Sequence, residues 1–120
     1  MKIVNPVGVL GEDTACNFLK NHGYKILERN FRQKYEEIDI IALQKDTLVF
    51  IEVKTRKSNT FGSPFESIAP WKLRHLTQLA QYYHVLHPNL PENMRIDAIG
   101  IVLASDNKIE KIEHLENISG

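Results

Sequence analysis

Two apolar runs joined by a short polar link constrain the fold of this chain more than any other feature. The stretch EIDIIALQKDTLVFIEVKTR, from Glu37 to Arg56, holds the runs EIDIIAL and TLVFIEV on either side of QKD. Runs rich in isoleucine and valine are typical of buried strands, and so short a link predicts an antiparallel hairpin. Asp39 interrupts the first run, however, and Glu52 and Lys54 interrupt the second. Charged groups therefore lie where a buried strand should be apolar.

The rest of the chain predicts an α/β domain. Helical spacing of apolar residues and a following Gly23 indicate a helix over 9–22, and a second helix begins at Pro70 and ends before Pro88. We predict strands over 24–31, 37–43, 47–53, 94–103 and 108–115, and a loop over 56–66. The order is α-β-β-β-α-β-β. Because a helix connects the third and fourth strands, these two should be parallel in a mixed five-stranded sheet with flanking helices.

Length and composition limit the classes of protein to consider. We expect the 120 residues to form one domain, with a core over 8–103 and an edge strand and tail over 104–120. A single cysteine, Cys16, excludes an intramolecular disulfide. Because no signal-peptide core and no apolar run of membrane-spanning length is present, we expect a cytoplasmic protein that crosses no membrane.

The charge distribution indicates where an anionic partner would bind. Fifteen basic and fifteen acidic residues give a net charge of zero, which argues against nucleic-acid binding by bulk charge. Basic residues nevertheless outnumber acidic ones between Val53 and His75. The basic residues there are Lys54, Arg56, Lys57, Lys72 and Arg74. Small size and neutral charge favour a weak binder, a homodimer or a subunit that needs a partner protein.

The predicted hairpin brings the charged residues together. A turn centred on the Lys-Asp pair of the link places Asp39 opposite Glu52, and Glu37 opposite Lys54. Two carboxylates about 5 Å apart repel each other by roughly 3 kcal/mol, a large fraction of the about 5 to 15 kcal/mol that stabilises a domain. A shared proton, the Lys54 ammonium or a divalent cation could offset this repulsion. Oxygen ligands favour a hard ion, Mg²⁺ or Mn²⁺.

Two other interpretations of these charges remain open. The three side chains could lie on a solvated face of the sheet and contact only water. A retaining glycosidase also holds two carboxyl groups about 5 to 5.5 Å apart. The adjacent lysine and the basic loop favour a phosphate ester over a neutral sugar as the substrate.

These residues resemble the PD-(D/E)xK nuclease superfamily, which carries an acidic residue on one strand and E-x-K on the next. The pattern G-E-I-D-L-I, F-V-E-V-K-T-R and R-F-D-V-V of the small bacterial YraN-like family is similar to residues 37–41, 50–56 and 95–99. Its first-helix pattern E-x-x-A-x-x-x-L matches Glu12, Ala15 and Leu19. The resemblance covers about residues 8–103. Ile38 replaces a proline common in the superfamily, and Glu36 replaces a glycine frequent in the closer family.

The resemblance implies a restriction-endonuclease-like core and a metal-dependent endonuclease acting on DNA. Archaeal Holliday-junction resolvases share the arrangement, which suggests branched DNA as the substrate. By this resemblance Asp39, Glu52, the Val53 carbonyl and Glu12 hold Mg²⁺ or Mn²⁺, and Lys54 orients the attacking water or stabilises the transition state. Candidate phosphate contacts are Arg56, Lys57, Lys72 and Arg74. The alternative is a non-catalytic nucleic-acid-binding or assembly module on a nuclease scaffold.

Other polar and aromatic residues have simpler predicted roles. We expect Glu37 to be an ion-pair partner of Lys54 rather than a ligand. Asp97, two residues after Arg95, is expected to be structural or orienting. For Trp71 we favour packing over stacking on a base.

Overall fold

One mixed sheet flanked by two helices makes up the fold. The computed structural model describes residues 5–58 and 62–119. Its elements are α1 (Pro6–Asn21), β1 (Lys25–Gln33), β2 (Glu36–Gln44), β3 (Thr47–Lys57), α2 (Pro70–Leu86), β4 (Asn93–Leu103) and β5 (Ile109–Leu115). The five strands lie side by side in chain order, with β3 and β4 parallel and every other pair antiparallel. The predicted fold class and the order α-β-β-β-α-β-β are confirmed.

The ends of the helices follow from their sequences. The side chain of Asn5 accepts a hydrogen bond from the Val7 amide and so caps the start of α1. After α1, Gly23 has a φ of +87°, a left-handed conformation that glycine adopts without a steric penalty. Pro70 occupies the first turn of α2, where its missing N–H would have no helical partner.

Each helix covers one face of the sheet. On one face, α1 contributes Ala15, Cys16 and Leu19 to a core that includes residues of the three strands β2, β3 and β4 and the Tyr24 ring. The strand residues in this cluster are Ile40, Ala42, Val49, Ile51, Ile99, Ile101 and Leu103. On the other face, α2 packs its apolar stripe against Ile38, Ile41, Leu48, Phe50 and Ile96. That stripe is Leu76, Leu79, Ala80 and Tyr83, as its helical spacing predicted.

Strand β3 is longer than predicted. The loop was expected to begin at Arg56, but β3 continues to Lys57. The reason is tertiary, because β4 supplies a parallel partner for every residue of β3, from Thr47 opposite Asn93 to Lys57 opposite Leu103. Of the remaining predicted loop, 59–61 lie outside the described residues, and Pro64–Ser67 form a 3₁₀ turn.

The side chains of β2 switch from one face of the sheet to the other midway along the strand. Residues two apart on a regular strand share a face, yet Ile40 packs in the α1 cluster and Ile38 in the α2 cluster. Asp39 lies between them and belongs to none of the register pairs described for β2. Across from it on β1, Asn30 has a φ of +56°, which is uncommon for a residue with a side chain. Because of this local irregularity, Asp39 does not follow the regular alternation of side chains between the two faces of the sheet.

Candidate functional site

The β2–β3 hairpin has the predicted register. Its paired residues run from Gln44 opposite Thr47 at the turn to Ile40 opposite Ile51. The next position along this register would set Asp39 against Glu52, but the described ladder ends one residue before it. Instead, Asp39 Oδ2 accepts a hydrogen bond of 2.8 Å from the backbone amide of Val53. A side-chain carboxylate therefore takes the place of a backbone acceptor where the two strands separate.

Three carboxylates converge at this point. One oxygen each of Glu12 on α1 and of Glu37 and Asp39 on β2 lie within 4.8 Å of one another. Glu12 reaches the sheet because the preceding residue, Gly11, is buried against β3. A Cβ on Gly11 would lie 1.8 Å from Thr55 Oγ1, so any larger residue would push α1 away from the strand.

Side chains from β1 compensate part of this negative charge. Asn30 Nδ2 donates to Glu12 Oε1 at 2.9 Å and to Glu37 Oε1 at 2.8 Å, and so joins the two carboxylates. Arg29 lies 3.6 Å from Glu12, and Arg32 forms an ion pair with Glu37. The side chain of Asn30 is therefore part of what holds the cluster together.

Glu52 lies beside the cluster and is more deeply buried. Its side chain is 6% exposed, and its Oε1 lies 3.5 Å from Lys54 Nζ on the same strand. Its Oε2 is buried and has no hydrogen-bond partner among the described residues. Burial raises the pKa of Glu52, whereas the positive charges of Lys72 and Lys54 act in the opposite direction. An orphaned buried carboxylate oxygen is rare, because it has lost its hydration without replacement.

Burial raises the pKa of Asp39 as well, and the neighbouring carboxylates raise it further. Burial, together with the charge of Glu52 and smaller contributions from Glu12 and Glu37, raises its pKa from 3.8 to about 8. The hydrogen bond from Val53 opposes this rise but does not cancel it. Without a cation, Asp39 therefore holds its proton to a much higher pH than an exposed aspartate does.

Comparison with known sequences identifies the family. The family described as "Uncharacterised protein family UPF0102" matches residues 11–101, a range that includes all four carboxylates and Lys54. The chain belongs to the UPF0102 family. Membership also agrees with the predicted resemblance to the YraN-like proteins.

Full-length relatives support this assignment. A UPF0102 protein of Syntrophomonas wolfei is 41% identical over 111 residues, covering 92% of this chain and 95% of its own. One from Alkaliphilus oremlandii is 43% identical over 114 residues, with coverage of 92% and 95%. A third, from Caldanaerobacter subterraneus, is 42% identical over 120 residues and covers 98% of both chains.

The residues that were predicted to contact phosphate are dispersed in this UPF0102 chain. Arg56 and Lys57 lie near the end of β3, where Arg56 donates to the Lys57 carbonyl and Lys57 contacts Asn107. Arg74 is exposed on α2. Lys72 is half-buried and close enough to Glu52 to lower its pKa, so it belongs to the surroundings of the carboxylates.

Sequence reasoning did not assign roles to the β1 residues of the UPF0102 site. Nothing in the pattern of β1 indicated that Asn30 and Arg32 contact Glu37, for which only Lys54 had been proposed as a partner. The signal available was the presence of asparagine within a strand pattern, because asparagine tolerates positive φ better than most residues.

A second polar cluster has a structural function in this UPF0102 chain. Asp97 is fully buried, and it accepts hydrogen bonds from Arg95, the His114 ring and the Asn117 amide. Burial alone would raise the pKa of Asp97, but these three hydrogen bonds hold it below its usual value. Through Asn117, Asp97 ties the segment after β5 to β4. Neither α1, with 16 residues, nor α2, with 17, has the length and hydropathy of a membrane span.

Proposed function

We propose that this protein is a metal-dependent endonuclease that hydrolyses DNA phosphodiesters with Mg²⁺ or Mn²⁺. The observation that carries the proposal is the convergence of Glu12, Glu37 and Asp39 within 4.8 Å, next to a buried Glu52 with an unpartnered oxygen. A solvated sheet face does not account for this arrangement, because Glu52 is only 6% exposed.

The donor set fits a hard divalent cation. All four side chains offer carboxylate oxygens, which Mg²⁺ and Mn²⁺ prefer over nitrogen or sulfur. Burial and then the charge of Glu52 raise the pKa of Asp39, and a cation would offset that negative charge. The residues that would hold the ion are Asp39, Glu52 and Glu12, with Glu37 as a further oxygen donor and the Val53 carbonyl as the backbone donor.

The cation and residues of the chain would share the chemistry of hydrolysis. A bound divalent cation supplies a Lewis acid that activates water and takes up charge on the phosphate. Lys54 is half-buried, so its ammonium, 3.5 Å from Glu52, is positioned to hold the attacking water or to donate to the developing negative charge. By accepting a hydrogen bond from Val53 N–H, Asp39 positions the segment of β3 that carries Glu52 and Lys54.

Selection of DNA would depend on residues outside this centre. Arg74 is exposed and available to phosphate, whereas Lys57 is already bonded to Asn107 and would have to exchange that contact. Contacts of this kind set affinity rather than sequence choice. A preference for branched DNA remains part of the proposal.

One observation favours the competing function, a non-catalytic nucleic-acid-binding or assembly module. Asn30, Arg29 and Arg32 already contact Glu12 and Glu37, so part of the cluster is stabilised without any cation. In such a module the carboxylates would be a structural network. Glu52 argues against it, because none of these three residues reaches its buried Oε2.

A cleavage assay separates the two functions. Linear duplex, single-stranded and four-way-junction DNA are incubated with protein and Mg²⁺ or Mn²⁺. Glu52→Gln and Lys54→Met should each lower the rate at least about 10²-fold, whereas the exposed edge-strand changes Glu110→Gln and Lys111→Met should leave it unchanged. Cleavage that survives both site substitutions would exclude this site. Binding of DNA without cleavage by the wild type would favour the module.

A further inference from the structure

A cleft next to the carboxylates has the chemistry of a nucleobase site. It lies between the β1–β2 turn and α2, has a volume of about 440 Å³, and is open to solvent. Tyr35 at the tip of the turn and Tyr82 on α2 line it, and they are 99% and 41% exposed. A tyrosine that makes no use of its apolar ring in folding is unusual, because burying an aromatic ring is strongly favourable.

The other lining residues fit an unpaired nucleotide. Gln33 and Gln78 present amide groups, each of which both donates and accepts hydrogen bonds, as the edge of a base requires. Lys34, beside Tyr35, supplies a positive charge for the phosphate. The acidic group of the cleft, Glu36, is engaged by His75 at 2.7 Å, so it does not face a ligand alone.

The cleft adjoins the proposed active site along its α2 wall. On β2, Glu36 lines the cleft, whereas the next residue, Glu37, lies on the opposite face of the strand with the carboxylate cluster. On α2, His75 lines the cleft, and Lys72, one turn earlier, acts on Glu52. Trp71, for which packing was expected, is half-exposed and packs edge-on against the His75 ring at 5.5 Å. A strand lying across the site could therefore place a neighbouring base in the cleft.

We infer that this cleft binds one unpaired nucleobase by stacking it on Tyr35 and Tyr82, and so selects DNA with unpaired nucleotides for the neighbouring site. The inference deepens the proposed endonuclease function and rests on it. Stacking between tyrosines discriminates single-stranded from paired bases, because a base within a duplex already has both of its faces covered.

Binding without cleavage tests the inference directly. Anisotropy is measured in EDTA with a labelled single strand, the same strand with abasic positions, and the corresponding duplex. The intact single strand should bind most tightly, and Tyr35→Ala should weaken its binding by about 5- to 100-fold. Tyr35→Phe keeps the stacking ring and should retain the affinity. Val85→Ala, at a residue 73% exposed on the same helix as Tyr82, is the control and should change nothing.

A spectroscopic readout separates stacking from general attraction. A fluorescent adenine analogue in the single strand should be quenched by the wild type and not by Tyr35→Ala. Equal binding of intact and abasic strands, or equal effects of Tyr35→Ala and Val85→Ala, would overturn the inference and favour a protein segment as the occupant. Quenching without cleavage would reject the endonuclease alone, whereas cleavage and binding unaffected by Tyr35→Ala would reject the cleft alone.

Discussion

Replacing Asp39 with asparagine should stabilise the metal-free protein at alkaline pH. Asparagine has nearly the same shape, and its side-chain oxygen can still accept the hydrogen bond from Val53. It removes the negative charge that burial and Glu52 disfavour. A substitution at the centre of the proposed active site is therefore expected to increase the free energy of unfolding.

The magnitude follows from the pKa of Asp39. Between its ordinary value of 3.8 and its folded value of about 8, the folded state holds a proton that the unfolded state has released. Stability is therefore lost as the pH rises through this window. At about 1.36 kcal/mol per pH unit the upper limit is about 5 to 6 kcal/mol. Because Asp39 keeps some solvent contact and titrates together with Glu52, we expect about 2 to 3 kcal/mol at pH near 8.5.

The assay is urea unfolding in EDTA across this pH range. Wild type and Asp39→Asn should have similar free energies of unfolding near pH 4, and the variant should become progressively more stable than the wild type toward pH 8.5. Asp46→Asn, in the exposed turn of the same hairpin, is the matched control and should follow the wild type throughout. Adding Mn²⁺ should reverse the order, because only the wild type retains the full set of ligands.

Two results would refute this reasoning. Asp39→Asn could be less stable than the wild type at pH 8.5 in EDTA, which would mean that the ionised carboxylate stabilises the fold. Alternatively, the difference between the two proteins could be independent of pH, which would mean that Asp39 titrates at its ordinary pKa and that the carboxylate cluster is not desolvated.

Three further predictions concern the approach of α1 to β3, the buried Asp97 and the binding of metal. Gly11→Ala should destabilise the protein by about 1 to 3 kcal/mol, because the new Cβ collides with Thr55, and should also weaken binding of Mn²⁺; urea unfolding and metal titration measure both. Arg95→Leu should cost about 3 to 5 kcal/mol in urea unfolding at pH 7, because it leaves the buried Asp97 charge without its ion pair. Addition of Mn²⁺ should raise the Tm of the wild type and raise that of Glu12→Gln less, as measured by calorimetry.

Each of these predictions has a control or a contradictory outcome. Gly8→Ala lies on the same helix, where a Cβ meets only ordinary contacts, so it should leave metal binding unchanged and raise the free energy of unfolding by about 0.5 to 1 kcal/mol, because alanine favours a helix over glycine. An equal loss in both glycine variants would reject close helix–strand approach as the cause. Arg95→Leu with unchanged stability would mean that His114 and Asn117 satisfy Asp97 alone. An equal rise in Tm for wild type and Glu12→Gln would remove Glu12 from the ligand set.

The sequence by itself determined the elements and one register. Alternating and helical apolar patterns predicted both helices and all five strands, because burial imposes those periods on any chain. The two-residue turn between Gln44 and Thr47 set the pairing of β2 with β3, since a short hairpin loop leaves little freedom of register. The crossover helix likewise required β4 to lie parallel to β3.

Only the tertiary structure decided how the charged groups meet. Regular alternation predicts that Asp39 lies near Glu52, whose charge does raise the pKa of Asp39, but the reversal between Ile38 and Ile40 also brings the Asp39 carboxylate to Val53 N–H, Glu12 and Glu37. That reversal lies opposite Asn30 of the neighbouring strand, whose φ is +56°. The approach of Glu12 depends on the contact of Gly11 with Thr55, which are 44 positions apart in the chain. Local periodicity carries no information about such contacts, because they arise only when distant segments pack together.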